Sequence, residues 1–537
     1  MPGGKQGETE RAKVRGKNLV LSTRNPIFSG GIEMQPIQTE TGLPRCFSAV
    51  QIRRLCILIG IAALSAASLT AQDPFAGVRA DIHHQIVDDS TLSVAVAVAR
   101  HGKVVWEEGF GWANREKMIP ATANTLYSLA SISKPITATG LMTLVQAGKI
   151  DLDAPINRYL GDAKLKAWVG NADDATVRRV ANHSSGLPLH YQFFFSNEPW
   201  QKPSYDETIL RYGNLVTVPG EHYQYSNLGF GIIGYVLSRV SGESYADFMR
   251  EAVFERLGMT HTSVGIGPGL AEFQAIRYDD QGKPIPFYDF DHPGASAIYS
   301  SAHDLVRFGM FHLKDHLPDQ AQILSDASID EMHRPTMKIG DHAGYGIGWV
   351  SEDRPDGYHV VWHNGGMPGV STELMLVPSE DIAVAVLLNG KGSATPIMNE
   401  IMKVLLANWQ MPKQEQPPAA PPFSAPAELI GTWKGSMHTY QKDLPVTISV
   451  LPSGDIHVQI ADELPSVLNN SHFRDGYLTG EAWGDVQTGD AHRHEAYTLL
   501  FTLKLRGNNV LNGDVSATED GPNPVALSQW IEVKKTL

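Results

Sequence analysis

Ser128-Leu-Ala-Ser-Ile-Ser-Lys-Pro135 is the stretch on which the reading of this chain turns. Ser131 and Lys134 stand at the head of a run, Ser131 to Lys149, in which Ile136, Leu141, Leu144 and Val145 recur at roughly helical spacing and Gly148 supplies a stop. Residues three apart on a helix share a face, so the Ser131 hydroxyl and the Lys134 amine meet. Upstream, Thr91 to Arg100 (TLSVAVAVAR), the turn His101-Gly102 and Lys103 to Gly109 read as a β-hairpin. Downstream, Leu228 to Arg250 and Asp304 to Leu313 read as helices. Tyr358 to Trp362, Ser371 to Val377 and Ile382 to Leu388 read as strands, with a turn at Pro378 to Asp381, and Pro396 to Trp409 as a closing helix. Strands at both ends with helices between predict an α/β domain: one antiparallel sheet assembled from both ends, with helices against it.

Six prolines in Pro412 to Pro426 (PKQEQPPAAPPFSAP) mark a semi-rigid linker. Beyond it, Val446 to Leu451, Asp455 to Ile460 and Tyr497 to Leu505 are alternating segments, and turns fall at Pro452–Gly454 and Gly507–Asn509. That pattern predicts an all-β barrel or sandwich. The expected organisation is therefore an N-terminal extension with a signal peptide (1–72), an α/β domain (73–411), a linker (412–427) and a β domain (428–537).

The chain has 537 residues and a formal net charge of −14. Nine Lys/Arg against four Glu give residues 1–54 a net of +5, so the rest carries −19, which argues against nucleic acid as a partner. Arg53-Arg54, the apolar run Leu55 to Ala67 and the small residues up to Ala71 have the layout of an export signal, with an uncleaved anchor as the alternative. The run is short for a membrane span, and Met34 is a second plausible start. Both cysteines, Cys46 and Cys56, precede Ala71. Disulfides, Cys-ligated zinc and a Cys nucleophile are thus excluded from the body of the chain.

Two further motifs follow Ser131-Ile-Ser-Lys134 in order: Tyr225-Ser-Asn227 and His363-Asn-Gly365. A serine hydroxyl needs a base to become a nucleophile. An amine serves only if burial or a neighbouring cation lowers its pKa, and a tyrosine can relay the proton to a leaving group. Taken singly, each motif reads as an ordinary helix cap, turn or hairpin end; their order, spacing and flanks carry the case.

With those flanks the chain resembles the serine β-lactamase and penicillin-binding-protein superfamily, in its class C-like branch of D-aminopeptidases, D-Ala-D-Ala carboxypeptidases and β-lactamase-like esterases. The resemblance is carried by Ser128–Pro135, Asn182-His-Ser-Ser-Gly-Leu-Pro188, Pro219–Asn227, Leu257-Gly-Met-Thr260, Tyr299–Leu305, Tyr345-Gly-Ile-Gly-Trp349 and His363-Asn-Gly-Gly366, within roughly residues 78–410. It implies helices on both faces of the sheet and a helical subdomain. It also implies Ser131 as acylated nucleophile, Lys134 as its proton partner and Tyr225 as general base and acid, held near its phenolate form by Lys134. Which of the two takes the first proton stays open. Asn227, Asn364 and Gly365 are implied as substrate-binding, and the backbone N–H groups of Ser131 and Gly366 as the oxyanion hole. No metal and no cofactor is expected. Leu429-Ile-Gly-Thr-Trp-Lys434 is similar to the opening of lipocalin-like barrels.

In class C β-lactamases the third motif begins with Lys; here it is His363, which the resemblance sets beside Ser131, Lys134 and Tyr225 as a catalytic residue that orients and polarises near the substrate. A largely neutral imidazole anchors a carboxylate weakly, which favours amides and esters over β-lactams, and His363→Lys is expected to shift preference toward carboxylate-bearing substrates. The expected activity is an exported serine hydrolase acting through an acyl-enzyme on D-amino-acid peptides, small esters or, weakly, β-lactams. The alternative is a penicillin-binding sensor that never turns over. His83-His84 and His492-x-His494 read as surface, His183 as structural, and Trp106, Trp349 and Trp362 as core.

Overall fold

The computed structural model describes residues 73–88, 91–411, 423–507, 509–521 and 524–536. The export signal and residues 412–422 of the linker lie outside the described residues. The hairpin forms from Thr91–Arg100 and Lys103–Asn114. Ile382–Gly390 pairs antiparallel with Thr91–Arg100, and this joins the two ends of the domain. His359–Met367 and Val370–Val377 continue the sheet, which has nine strands, all antiparallel.

Side chains alternate across this sheet with the period of two that strands impose. Val94, Val96, Val98, Ile382, Val384 and Val386 pack with Ile397 and Ile401 of the helix Ala394–Leu405 and with Val78 and Ile82 of the helix Ala76–Asp88. Ala95, Ala97, Ala99, Ala383, Ala385 and Leu387 face the opposite way, where Leu305 and Phe308 of the helix Ala302–Leu313 and the long helices Ser133–Gln146 and Asn227–Ser241 pack. The alanines fit close approach: a Cβ on Gly309 would come within 2.8 Å of Ala383 Cβ. Helices therefore cover both faces, as expected.

One element differs from its prediction. The helical run expected over Leu228 to Arg250 breaks at Gly242, which adopts φ +83 and ends the helix Asn227–Ser241. Only glycine enters this region without strain. A second helix, Tyr245–Met249, restarts behind a Ser244 cap.

After the linker, nine antiparallel strands from Gly431–His438 to Val525–Lys535 make a nearly closed barrel. It does not stand apart. Val525 and Ala526 pair with Gln192 and Tyr191, so the strand Tyr191–Phe195 of the α/β domain extends the barrel sheet. Asp490 of the barrel accepts from the Tyr212 hydroxyl at 2.5 Å and from Arg211 at 2.9 Å, and Arg493 donates to the Phe193 carbonyl. From Asp73 onward the chain is a single compact unit.

Candidate active site

Ser131 does not lie in the long helix itself. It sits in the 3-10 turn Ala130–Ile132 that leads into Ser133–Gln146. Ala130 adopts φ +48, a left-handed backbone that costs an alanine energy, so the surroundings impose it. Two of those anchors are visible: Leu129 N–H donates to the Ile298 carbonyl at 2.9 Å, and Thr372 Oγ1 donates to the Leu129 carbonyl at 2.9 Å. The turn lifts Ser131 to the surface of the helix while Lys134 stays fully buried.

The three motifs converge. Ser131 Oγ lies 3.0 Å from Lys134 Nζ and 2.8 Å from the Tyr225 hydroxyl. Lys134 Nζ also donates to Asn227 Oδ1 at 2.8 Å and to the Ala295 carbonyl at 3.2 Å. Burial pushes the Lys134 amine well below its ordinary range. It also pushes the Tyr225 phenol up, more than the Ser131 hydrogen bond lowers it. This runs against the phenolate expected for Tyr225: with no carboxylate beside it among the described residues, a buried Lys134 favours its neutral form and supplies little field to ionise the phenol. A neutral amine has two N–H bonds, which Asn227 and Ala295 use, and one lone pair left for the Ser131 proton. The geometry thus suits Lys134 as the first base and Tyr225 as the donor that follows.

These groups open onto a cavity of about 320 Å³. Ser131, Tyr225, Asn227, His292, Ser296 and Gly366 form its polar wall, and Leu189, Tyr191, Phe193, Met367, Pro368 and Pro524 its apolar one. Pro524 comes from the edge of the barrel, and the barrel-paired strand contributes Tyr191 and Phe193. A wider cavity of about 660 Å³ adjoins at Pro368 and contains none of the cluster.

The third motif is placed differently from expectation. His363 is buried and does not line the cavity. Its Nδ1 faces the Asn364 carbonyl at 2.6 Å and its Nε2 the Tyr345 hydroxyl at 2.8 Å. Burial above all pushes its imidazole down to about 3, so it is neutral at pH 7 and offers no charge to a substrate carboxylate. A lysine at this position would bury an ammonium beside Tyr345 rather than present it to a ligand. Asn364 is exposed outside the cavity lining, and Gly365 is buried against the turn that carries Ser131. Of the third motif's stretch, only Gly366 reaches the cavity.

Sequence reasoning undervalued two histidines. His183, read as merely structural, packs its ring 4.4 Å from that of Tyr225, and its Nδ1 accepts from Ser226 N–H at 3.1 Å. Its carbonyl accepts from Gln224 N–H at 2.7 Å, so one residue grips both neighbours of Tyr225. His292, not singled out at all, lines the cavity. His494, read as surface, is buried, whereas His83, His84 and His492 are exposed. Trp106 and Trp349 are core, while Trp362 is only half-buried and donates to Glu352.

Burial also pushes down the imidazoles of His183, His292 and His312. A histidine neutral when folded but titrating near 6.5 when unfolded releases a proton on folding below that pH. Its contribution to stability is intact above about 6.5 and falls as pH drops toward the folded value, about 3 for His363. Thermal stability is expected to fall on acidification from pH 7 to 5. His312→Gln, at a residue outside the cavity lining, should flatten that dependence by up to ~1.4 kcal/mol per pH unit. Melting curves across this range check it, and an unchanged slope would show that His312 is not neutral in the fold.

Residues 78–407 match the family model described as Beta-lactamase. Penicillin-binding protein 4* of Bacillus subtilis (strain 168) is 28% identical over 330 residues, 57% of this chain and 70% of that protein. Protein flp of Staphylococcus aureus (strain MRSA252) is 25% identical over 61% of this chain, and the match spans 65% of flp, just under two thirds of its length. Among solved structures, a class C beta-lactamase superposes with a TM-score of 0.55 at 20% identity, covering 65% of this chain and 99% of its own. SurE superposes with a TM-score of 0.58 at 20% identity, covering 86% of this chain and 99% of its own. The structural likenesses establish the fold.

Proposed function

Since the chain belongs to the beta-lactamase family, whose members are serine hydrolases, we propose that it is an exported hydrolase that cleaves amide or ester bonds through an acyl-enzyme on Ser131. The observation that carries this reading is the placement of Ser131 Oγ within hydrogen-bond reach of both Lys134 Nζ and the Tyr225 hydroxyl. Lys134 takes the hydroxyl proton as Oγ attacks the carbonyl carbon. The N–H groups of Ser131 and Gly366 receive the developing oxyanion, which is where most of the electrostatic stabilisation arises. Tyr225 passes a proton to the leaving group, and water then releases the acid by the reverse sequence. Export rests on the N-terminal signal. Among the described residues no helix is long and apolar enough to cross a membrane.

The substrates fit neutral esters and amides, D-amino-acid peptides among them, better than β-lactams. The support is the absence of a charged anchor in the third motif, where His363 is turned to Tyr345. The apolar wall suits an uncharged acyl or leaving group, and the wider adjoining cavity gives room for an extended one. The barrel, whose edge helps build that wall, is proposed to shape the mouth.

A fluorescent penicillin and a fluorophosphonate should label the wild type and not Ser131→Ala. Labelling that persists in the alanine variant would remove Ser131 as nucleophile. The same protein should turn over p-nitrophenyl butyrate with a kcat/KM at least equal to that for nitrocefin. A single burst of one equivalent followed by silence would make the protein a sensor, and a strong preference for nitrocefin would overturn the substrate assignment.

A further inference from the structure

His292, Asp291 and His190 have no part in the acylation steps above, yet they form a chain of contacts that ends in the same cavity at His292. Asp291 Oδ1 is 2.6 Å from His292 Nδ1, and Asp291 Oδ2 is 2.8 Å from His190 Nε2. All three side chains are almost completely buried, and His292 alone of them lines the cavity with Ser131. The His292 backbone is pinned to the helix that begins at Asn227: a Cβ on Gly231, one turn beyond Asn227, would stand 2.8 Å from His292 Cα. One turn later Gly234 meets Gly294 in the same way, at 3.2 Å. The imidazole therefore belongs to the wall that Asn227 also builds.

Its tautomer follows from its neighbours. The carboxylate accepts the Nδ1 proton, which leaves Nε2 as the nitrogen with a lone pair. Burial pushes the His292 imidazole down, against the upward pull of Asp291, so it is a neutral acceptor. Burial pushes the Asp291 carboxyl up, but His190 and His292 more than offset it and hold it below the usual carboxylate range. The same three residues could be read as a metal site, since their donor atoms lie within 4.8 Å of one another. The far side of His190 argues otherwise. Among the described residues its buried Nδ1 has no hydrogen-bond partner, and a metal on Nε2 would make that nitrogen an N–H with no acceptor there, whereas metal-bound imidazoles nearly always have one.

We propose that His292 is a specificity-determining residue of the acyl pocket, whose Nε2 accepts a hydrogen bond from an N–H or O–H next to the carbonyl of the substrate's acyl group. Asp291 and His190 are positioning residues that hold it in one orientation. This rests on acylation of Ser131 as read above, and it narrows the substrates to acyl groups that bear an α-amine or α-hydroxyl. A pocket built around an acceptor discriminates strongly against an isostere that lacks the donor, because the acceptor is then desolvated for nothing.

The test uses the p-nitrophenyl esters of alanine, lactate (both enantiomers of each) and propionate, which share one length, with kcat/KM normalised to uncatalysed hydrolysis. The wild type should prefer the better alanine or lactate ester over propionate by about 10-fold or more. In His292→Leu that ratio should fall by about 10-fold or more, and in Asp291→Asn by a smaller factor. His292→Gln, which keeps an acceptor, should retain part of it. A wild type with no preference overturns the proposal, whatever the stability of the variants. So does a His292→Leu protein that slows all esters equally, which would mark a purely structural role, or one zinc ion per chain in a native mass spectrum. Absence of any Ser131-dependent turnover would instead overturn the reading beneath it.

Discussion

Lys134→Ala is expected to lower kcat by ~100- to 10,000-fold while the protein stays folded. The amine is the group within reach of Ser131 Oγ that has both a lone pair and a burial-lowered pKa. Alanine removes the proposed base and leaves Asn227 Oδ1 without its 2.8 Å donor, so the amide proposed to bind the acyl group loses its orientation as well. The Tyr225 hydroxyl, 2.8 Å from Oγ, remains, but as a phenol pushed up by burial it cannot take the proton in the resting state. Stability should fall, because the substitution empties a fully buried site and leaves the Asn227 and Ala295 acceptors without their donor, but the fold should survive. Lys134→Arg should not rescue activity, since guanidinium stays protonated and has no lone pair to offer. Pre-steady-state kinetics with p-nitrophenyl butyrate check the point. The burst rate should fall with the steady-state rate. A burst that keeps its wild-type rate would mean that Lys134 acts after acylation, and Tyr225 or water would then be the first base.

Much of this was legible before the structure, for reasons that lie in particular residues. The alternation of Val94, Val96 and Val98 with Ala95, Ala97 and Ala99 already states a strand buried on both faces, and the structure packs both sets. The spacing of Ser131 and Lys134 is local, so one turn of helix brings them together. Tyr225, 94 residues on, could be joined to them only through the resemblance of its flanks. His183, His292 and His363 show where such reasoning ends. Their roles are set by what tertiary contacts bring against each ring: Tyr225 for His183, Asp291 for His292, Tyr345 for His363. Nothing within a few residues of His363 says that its ring turns inward, away from the cavity. The same holds for Tyr191–Phe195. A short aromatic strand in a long connection gives no sign that it will pair with Val525 and Ala526, more than 300 residues later, and so tie the barrel to the mouth.

That dependence on close contacts gives the second large effect, at a residue outside the cavity lining. Gly365→Ala is expected to reduce kcat by ~100-fold or more, about what removal of one oxyanion-hole donor costs. A Cβ on Gly365 would stand 2.2 Å from the Leu129 carbonyl oxygen, 2.4 Å from Thr372 Oγ1 and 3.0 Å from Ala130 Cβ. These contacts are backbone or residues pinned by the backbone: Thr372 already holds the Leu129 carbonyl, and Ala130 is fixed in its left-handed turn. The strand His359–Met367 would have to move away from the turn that carries Ser131. Gly366, the next residue, would move with it and widen the gap between the two N–H groups proposed to receive the oxyanion. Overpacking of this kind costs ~1–3 kcal/mol in stability, so the melting temperature should fall but the fold should survive. Gly366→Ala provides the contrast, since a Cβ there meets nothing within 4 Å, and it should perturb neither the strand nor the turn. The measurement is kcat, KM and melting temperature for both variants with one ester. If Gly365→Ala keeps kcat while losing stability, or Gly366→Ala suffers the larger loss of kcat, the distance between the Ser131 turn and this strand is not what sets the rate.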